Sequence, residues 1–217
     1  LKRAQELGFA EADPTMDVSG GDAAQKLAIL AHLAFGARVH WSEIPRVGID
    51  TLDAADLRYA RELGYRIKLI AVAQLHEAAA SVAASVAGTL RVPSDAKSTA
   101  SALELHVTPT LVKTGTPLAE VRGAFNALQV VGDAVGPVFF HGLGAGQMPT
   151  ASAVVADMID TAVGRTGLTF RTLNLWSQDE ARVSPLDHKQ LAGRYYLRFT
   201  VEDRPGVMAE ITGVLGR

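Results

Sequence analysis

The stretch that most limits what this chain can become runs from Gly21 to Ala34, GDAAQKLAILAHLA. Wound into a helix it is apolar nearly all the way round, which predicts a buried helix. Burial on several sides needs a sizeable core, and 217 residues suffice for one, in one or two domains. Gly36 ends the helix. Two charges interrupt the apolar surface, Asp22 and Lys26, which share a face at i and i+4.

Around this helix the pattern predicts both helices and strands. Residues 1–7 read as the end of a helix capped by Gly8, and residues 9–21 as a loop rich in Asp, Gly and Pro. DTLDAADLRYARELGY (50–65) is amphipathic, with Asp50 or Thr51 as N-cap and Gly64 just past its end. RIKLIAVAQ, TLRV and LELHVTPTLV read as strands. Residues 75–101, Ala/Ser-rich, read as an excursion, part helix and part loop. TPLAEVRG is a short helix with Thr116 as N-cap and Pro117 in its first position. NALQVVGDAVGPVFFHG is a hairpin turning over Gly132–Gly136, followed by GLGAG and a helix, PTASAVVADMIDTAVG. Residues 164–193 are polar and mixed, as in a linker, and RYYLRFTVE is a strand leading through DRPG into a last helix. Strands and helices alternate without a strict βαβ rhythm, so the expected class is α+β, a mixed sheet with helices packed on it.

A net charge of -2 and a pI near 6.3 leave no electrostatic footprint for nucleic acid or an anionic membrane. Cysteine is absent, which removes thiol catalysis, disulfides and cysteine metal sites. No apolar run spans a bilayer and the first residues lack a signal-peptide core, so the expected compartment is the cytoplasm. Both ends fall in helix-like sequence without polar tails, and the chain is expected to be a fragment of a longer protein.

The chemistry concentrates before the buried helix. Glu11, Asp13, Asp17 and Asp22 fall within twelve residues, with Lys26 one helical turn beyond. The plainest account of Asp22–Lys26 is a surface ion pair worth under about 1 kcal/mol. Among Ala23, Ala24, Leu27, Ala28, Leu30 and Ala31, the lysine otherwise belongs to the edge of an apolar stripe or to a cleft with its acid. There it is placed to pass a proton to a carbonyl oxygen. The acids before the helix also suit simple capping. A calcium loop lacks its closing glutamate. As a pocket wall, they would bind an ammonium group. Gly142, Gly144 and Gly146 let backbone approach a ligand at a helix start, yet do not form the dinucleotide fingerprint; a tight turn into a packed helix explains them equally. No metal site is expected.

Taken together, LGFAEADPTMDVSGGDAAQKLAILAHLAFG, GIDTLDAADLRYARELGYRIKLIAVA, PLAEVRGAFNAL and GDAVGPVFFHGLGAGQMPTASAVVADM resemble, in order, the catalytic region of homoserine dehydrogenases that follows their nucleotide-binding domain. The resemblance covers about residues 1–164, apart from 75–101. It implies reversible reduction of aspartate semialdehyde to homoserine by NADPH or NADH, on the route to threonine, methionine and isoleucine. It puts the catalytic acid/base on Lys26 with Asp22 as its substrate-contacting partner. Glu11 and Asp17 join Asp22 as substrate-binding residues, and cofactor contacts fall at Gly8, Gly144 and Gly146. Residues 195–217 resemble the opening of an ACT domain, a regulatory module associated with threonine feedback, with Asp203, Pro205 and Gly206 in its first turn; Asp203 and Gly206 become effector-binding candidates.

The implied organisation is a catalytic and dimerisation domain over 1–163, a linker over 164–193 and the start of an ACT unit over 194–217, in a homodimer. The family's Gly-rich cofactor fold, second substrate lysine and monovalent-cation loop would all lie before Leu1. Thr108 and Thr116 stand where many relatives carry histidine. Two other readings stay open: an amino-acid-binding regulatory protein without catalysis, and a reductase of a related semialdehyde.

Overall fold

A computed structural model of the chain describes residues 13–76, 101–172, 183–187, 189 and 193–216. The helix-like start before Gly8 and the strand expected at TLRV lie outside these residues, as does nearly all of the 75–101 excursion. Leu75 and His76 finish one strand and Ser101 opens the next.

Helix α1 (Thr15–Val18) turns through Ser19 and Gly20 into α2 (Gly21–Phe35), which Gly36 closes in the left-handed conformation. Two short 3-10 turns, Trp41–Glu43 and Ile49–Thr51, lead to α3 (Ala54–Glu62). Gly64, with φ 81, turns the chain from α3 into β1 (Tyr65–His76). β1 pairs antiparallel with β2 (Ser101–Lys113), Tyr65 opposite Lys113 and His76 opposite Ala102. α4 (Pro117–Glu120) precedes the hairpin β3 (Phe125–Gly132) and β4 (Gly136–Leu143). Then come α5 (Gln147–Ala162), α6 (Arg165–Thr172), β5 (Val183–Pro185) and α7 (Val207–Leu215).

The sheet order is β1-β2-β5, with β5 parallel to β2, beside a separate two-stranded β3-β4 sheet. The mixed α+β class expected from the sequence is therefore the observed one. β2's outer edge also takes a single parallel bridge. Val107 donates its N–H to the Pro45 carbonyl at 2.9 Å, and its own carbonyl accepts from the Val47 N–H at 2.9 Å.

The core lies between α2 and one face of this sheet. Ala24, Leu27 and Ala31 meet Leu103, Leu105 and Val107, with Ile44 and Val183 closing the sides. Leu103 and Val107 are fully buried, each contributing about 1.5–3 kcal/mol by leaving water.

Four local expectations are corrected. α2 is not buried on all sides: Ile29, Leu30 and Leu33 are exposed at 62%, 38% and 43%, because the sheet, α1 and the 3-10 turn Trp41–Glu43 leave that side of it open among the described residues. The N-cap of α3 is Asp53 rather than Asp50 or Thr51, since residues 49–51 are spent on a 3-10 turn. Asp53 accepts from Ala55 N–H at 3.0 Å and Asp56 reaches back to Asp53 N–H at 2.9 Å, a capping box. The stretch 164–193 holds α6 and β5; three residues suffice for β5 because β2 supplies its ladder. Residues 194–202 form no strand: among the described residues no neighbouring strand hydrogen-bonds to them.

Candidate functional site

The acidic run before α2 folds into a compact turn. Asp13 accepts from the backbone N–H and hydroxyl of Thr15, at 3.0 and 2.5 Å, and so satisfies the first free N–H of α1. These bonds hold its carboxyl below the usual aspartate range, the Thr15 hydroxyl being the larger cause. Asp17 follows on α1, exposed.

Two glycines fix how α2 begins. Gly20, its N-cap, has φ 78, a left-handed conformation, and a Cβ there would lie 3.1 Å from Val107 Cγ1 and 3.7 Å from Leu69 Cδ2. Gly48 passes so close to the same turn that a Cβ would stand 2.6 Å from the Val18 carbonyl oxygen. The turn that leads into α2 is thus clamped between the sheet and the loop 44–48.

Just past that turn Lys26 Nζ donates to Asp22 Oδ2 at 2.6 Å. The side chains are 59% and 39% exposed and point away from the buried Ala24–Leu27–Ala31 stripe. They continue into the open apolar residues Ile29, Leu30 and Leu33. Of the two placements open from the sequence, the edge of the apolar stripe is the one observed. An exposed apolar strip rimmed by an ion pair is a surface built to be covered.

The structure brings Asp22 and Lys26 together and sets Asp17 on the neighbouring helix. Gly8 and Glu11 lie outside the described residues. Gly144 and Gly146 are not brought to Lys26: they join β4 to α5, a unit that shares no extended contact with α2 among the described residues. Gly144 passes tightly beside Asn126 and donates its N–H to the Ala124 carbonyl at 3.2 Å. Gly146, at φ 127, begins α5 without a side-chain cap, leaving first-turn N–H groups for another acceptor. Asp203 and Gly206 form the expected turn into α7, which Arg204 braces by a two-pronged bond to Glu210 at 2.9 and 2.8 Å.

Two clusters escaped the sequence reading. On the far face of the sheet, Glu104 bridges His76 and His106 at 2.7 and 3.0 Å, and Thr108 continues the row from His106 at 3.3 Å. Alternation on β2 was the available signal. Asp56, buried on α3, takes the Arg198 guanidinium and the Tyr196 hydroxyl. The Arg198 hydrogen bond is the main cause holding its carboxyl below the usual range; burial opposes it. DAAD at 53–56 signals the cap, but nothing local signals a partner some 140 residues on.

Comparison with known proteins agrees with this architecture. The family model described as homoserine dehydrogenase matches residues 1–159. Homoserine dehydrogenases of Neisseria gonorrhoeae and a Synechocystis species are 39% and 40% identical over 100% and 97% of the chain. The chain spans 45% of the length of each. The crystal structure of a homoserine dehydrogenase from Thiobacillus denitrificans superposes with a TM-score of 0.67 at 38% identity, covering all of this chain and 45% of that one. That of Staphylococcus aureus does so at 0.58 and 37%, over 75% of the chain and 35% of its own. Among the described residues no helix is long and apolar enough to cross a membrane.

Proposed function

The chain belongs to the homoserine dehydrogenase family, and from that premise we propose that it forms the substrate-binding and proton-transferring part of an NAD(P)-dependent homoserine dehydrogenase. The reaction is the interconversion of L-aspartate 4-semialdehyde and L-homoserine. The observation that carries this reading is the Lys26–Asp22 pair, 2.6 Å apart on a clamped helix start that follows a run of acids.

In the reducing direction Lys26 Nζ gives its proton to the aldehyde oxygen as the carbon accepts a hydride; in the oxidising direction it takes the hydroxyl proton back. Asp22 aims the ammonium and touches the substrate. Glu11, Asp17 and Asp22 hold the substrate's ammonium group, and the open Ile29–Leu30–Leu33 strip closes over the site when covered, excluding water from the proton transfer. When bound, the nicotinamide supplies or accepts the hydride. The uncapped start of α5 at Gly146 and the exposed Gly144 fit one end of such a cofactor, and Gly8 is assigned the same role. Within these residues no strand followed by G-x-G-x-x-G holds a pyrophosphate, so this chain's share in cofactor binding is the nicotinamide end.

The same reading makes 1–163 the catalytic and dimerisation domain and 194–217 the start of an ACT unit, with Asp203 and Gly206 facing an amino-acid effector such as threonine. The protein is then a cytoplasmic homodimer. Exposed Leu128, Val130, Val131, Phe139 and Phe140 on the hairpin support a covering partner.

The test is Lys26→Ala in the full-length enzyme. Loss of a general acid lowers turnover by at least about 100-fold. Folding survives, because the side chain is mostly exposed. Near-normal turnover ends the assignment.

A further inference from the structure

We propose that Asp56 is the docking point of an electrostatic latch that locks the extended segment 196–201 onto helix α3, and with it the C-terminal unit over 194–216 onto the body of the protein. Asp56 is the one buried charged residue among the described residues. Its carboxylate is fully used. Oδ1 accepts from Arg198 Nε at 2.7 Å and from the Tyr196 hydroxyl at 3.0 Å. Oδ2 accepts from the Asp53 backbone N–H at 2.9 Å and, more weakly, from Arg198 Nη2 at 3.4 Å. Arg198 also lies 3.5 Å from Asp53.

A helix cap does not require this burial. Asp53, which caps the same helix, is half exposed. A carboxylate leaves water at a cost unless cations and donors replace the lost hydration. Here both replacements come from one strip of chain, and Tyr196 and Arg198 sit on its same side at i and i+2. Phe199 borders two grooves, one of about 250 Å³ with Ile211 and Leu215 of α7 and one with Tyr59 and Leu63 of α3. The strip therefore lies between the two helices: Tyr196 and Arg198 bond to α3, and Phe199 borders both. With no strand ladder holding residues 194–202 among the described residues, the Asp56 cluster supplies side-chain hydrogen bonds that tie them to α3. From α3 the chain passes through Gly64 into β1, whose Leu69 supports Gly20 at the head of α2. The latch thus joins the C-terminal unit to the element that carries Lys26.

The test is limited proteolysis of the full-length protein by chymotrypsin, for which Tyr195, Tyr196 and Phe199 are sites within the strip, with Asp56→Asn, Arg198→Gln and the double variant. Asparagine keeps an acceptor for the Asp53 N–H, so α3 stays capped. Cleavage within 195–199 speeds up at least about tenfold in each single variant and no further in the double, while amide exchange over 54–62 stays within about twofold. Raising salt to about 1 M speeds this cleavage in the unaltered protein, leaving amide exchange in β1 and β2 unchanged, because Arg198 is one-third exposed. Unchanged cleavage within 195–199, additive effects in the double variant, or loosening confined to α3 overturns the latch. The readout is cleavage rather than turnover, so it stands or falls separately from the catalytic reading.

Discussion

Replacing Gly20 by alanine tests whether the candidate site depends on how tightly the head of α2 is seated. Two costs add. An L-residue at φ 78 pays about 1–2 kcal/mol for the left-handed conformation. The new methyl also lies 3.1 Å from Val107 Cγ1, inside the about 3.5–4.0 Å of comfortable carbon contact. Val107 is fully buried and cannot yield freely, so overpacking adds about 1–3 kcal/mol. The sum is about 2–5 kcal/mol. Gly64 provides the control: its φ is 81, but a methyl there meets nothing within 4 Å. Gly64→Ala should cost only the conformational share, about 1–2 kcal/mol. Urea denaturation of both variants in the full-length enzyme, followed by circular dichroism, reads the difference. Asp22 lies two residues past Gly20, so Gly20→Ala should also cut turnover, and Gly64→Ala should not. Equal destabilisation by the two alanines would refute the seating argument.

Four further outcomes are expected. Glu11→Gln raises the Michaelis constant for homoserine more than it lowers turnover, because an ammonium partner acts in ground and transition states alike; lost turnover at an unchanged constant makes Glu11 a proton carrier instead. Leu103→Ala, in the middle of the core, costs about 2–5 kcal/mol in a denaturation midpoint experiment, and a cost near zero means the α2–sheet packing is misassigned. Glu120 is held below the usual glutamate range by the Arg122 guanidinium first, then by the Gly115 N–H and the charge of Arg66. Its hold on the loop 114–122 is therefore complete above the ordinary glutamate pKa and lost as pH falls through the depressed one; a carbon-13 carboxyl titration should show the midpoint rise in Arg122→Ala. Finally, the 217 residues alone should dimerise in light scattering without micromolar NADPH binding, and a strict monomer contradicts the covering partner inferred for the hairpin.

What could be read without coordinates was whatever repeats a period or closes on a neighbour. β2 alternates from Leu103 to Leu111, β1 is a run rich in Ile, Leu, Val and Ala, and Gly132–Gly136 announces the hairpin, so these elements were legible. Helix α2 was legible as a helix but not in its burial: composition states that a face is apolar, not which partner covers it. The Asp22–Lys26 pair was visible from its spacing, and the fold then supplied the clamp at Gly20 and Gly48. β5 was missed because Val183–Pro185 is a strand only by virtue of β2. RYYLRFTVE was the opposite error: strand-like alternation, with no neighbouring strand among the described residues to pair with. The Asp56 cluster was invisible because its two halves are joined only by the tertiary fold.

Pro109 adds a constraint on how sheets of two copies can meet. The backbone groups of Val107 point outward to Pro45 and Val47, and residue 109, two positions on, presents its backbone to the same side. There the donor is missing, because proline has no N–H. Beyond the single bridge at Val107 the sheet has a finished margin, and a strand approaching from outside finds no donor at the next rung. Growth of the ladder in that direction stops at one step. A strand that came up beside β2 past Val107 would lack that donor, and the same margin works against templated pairing along this edge while the chain folds.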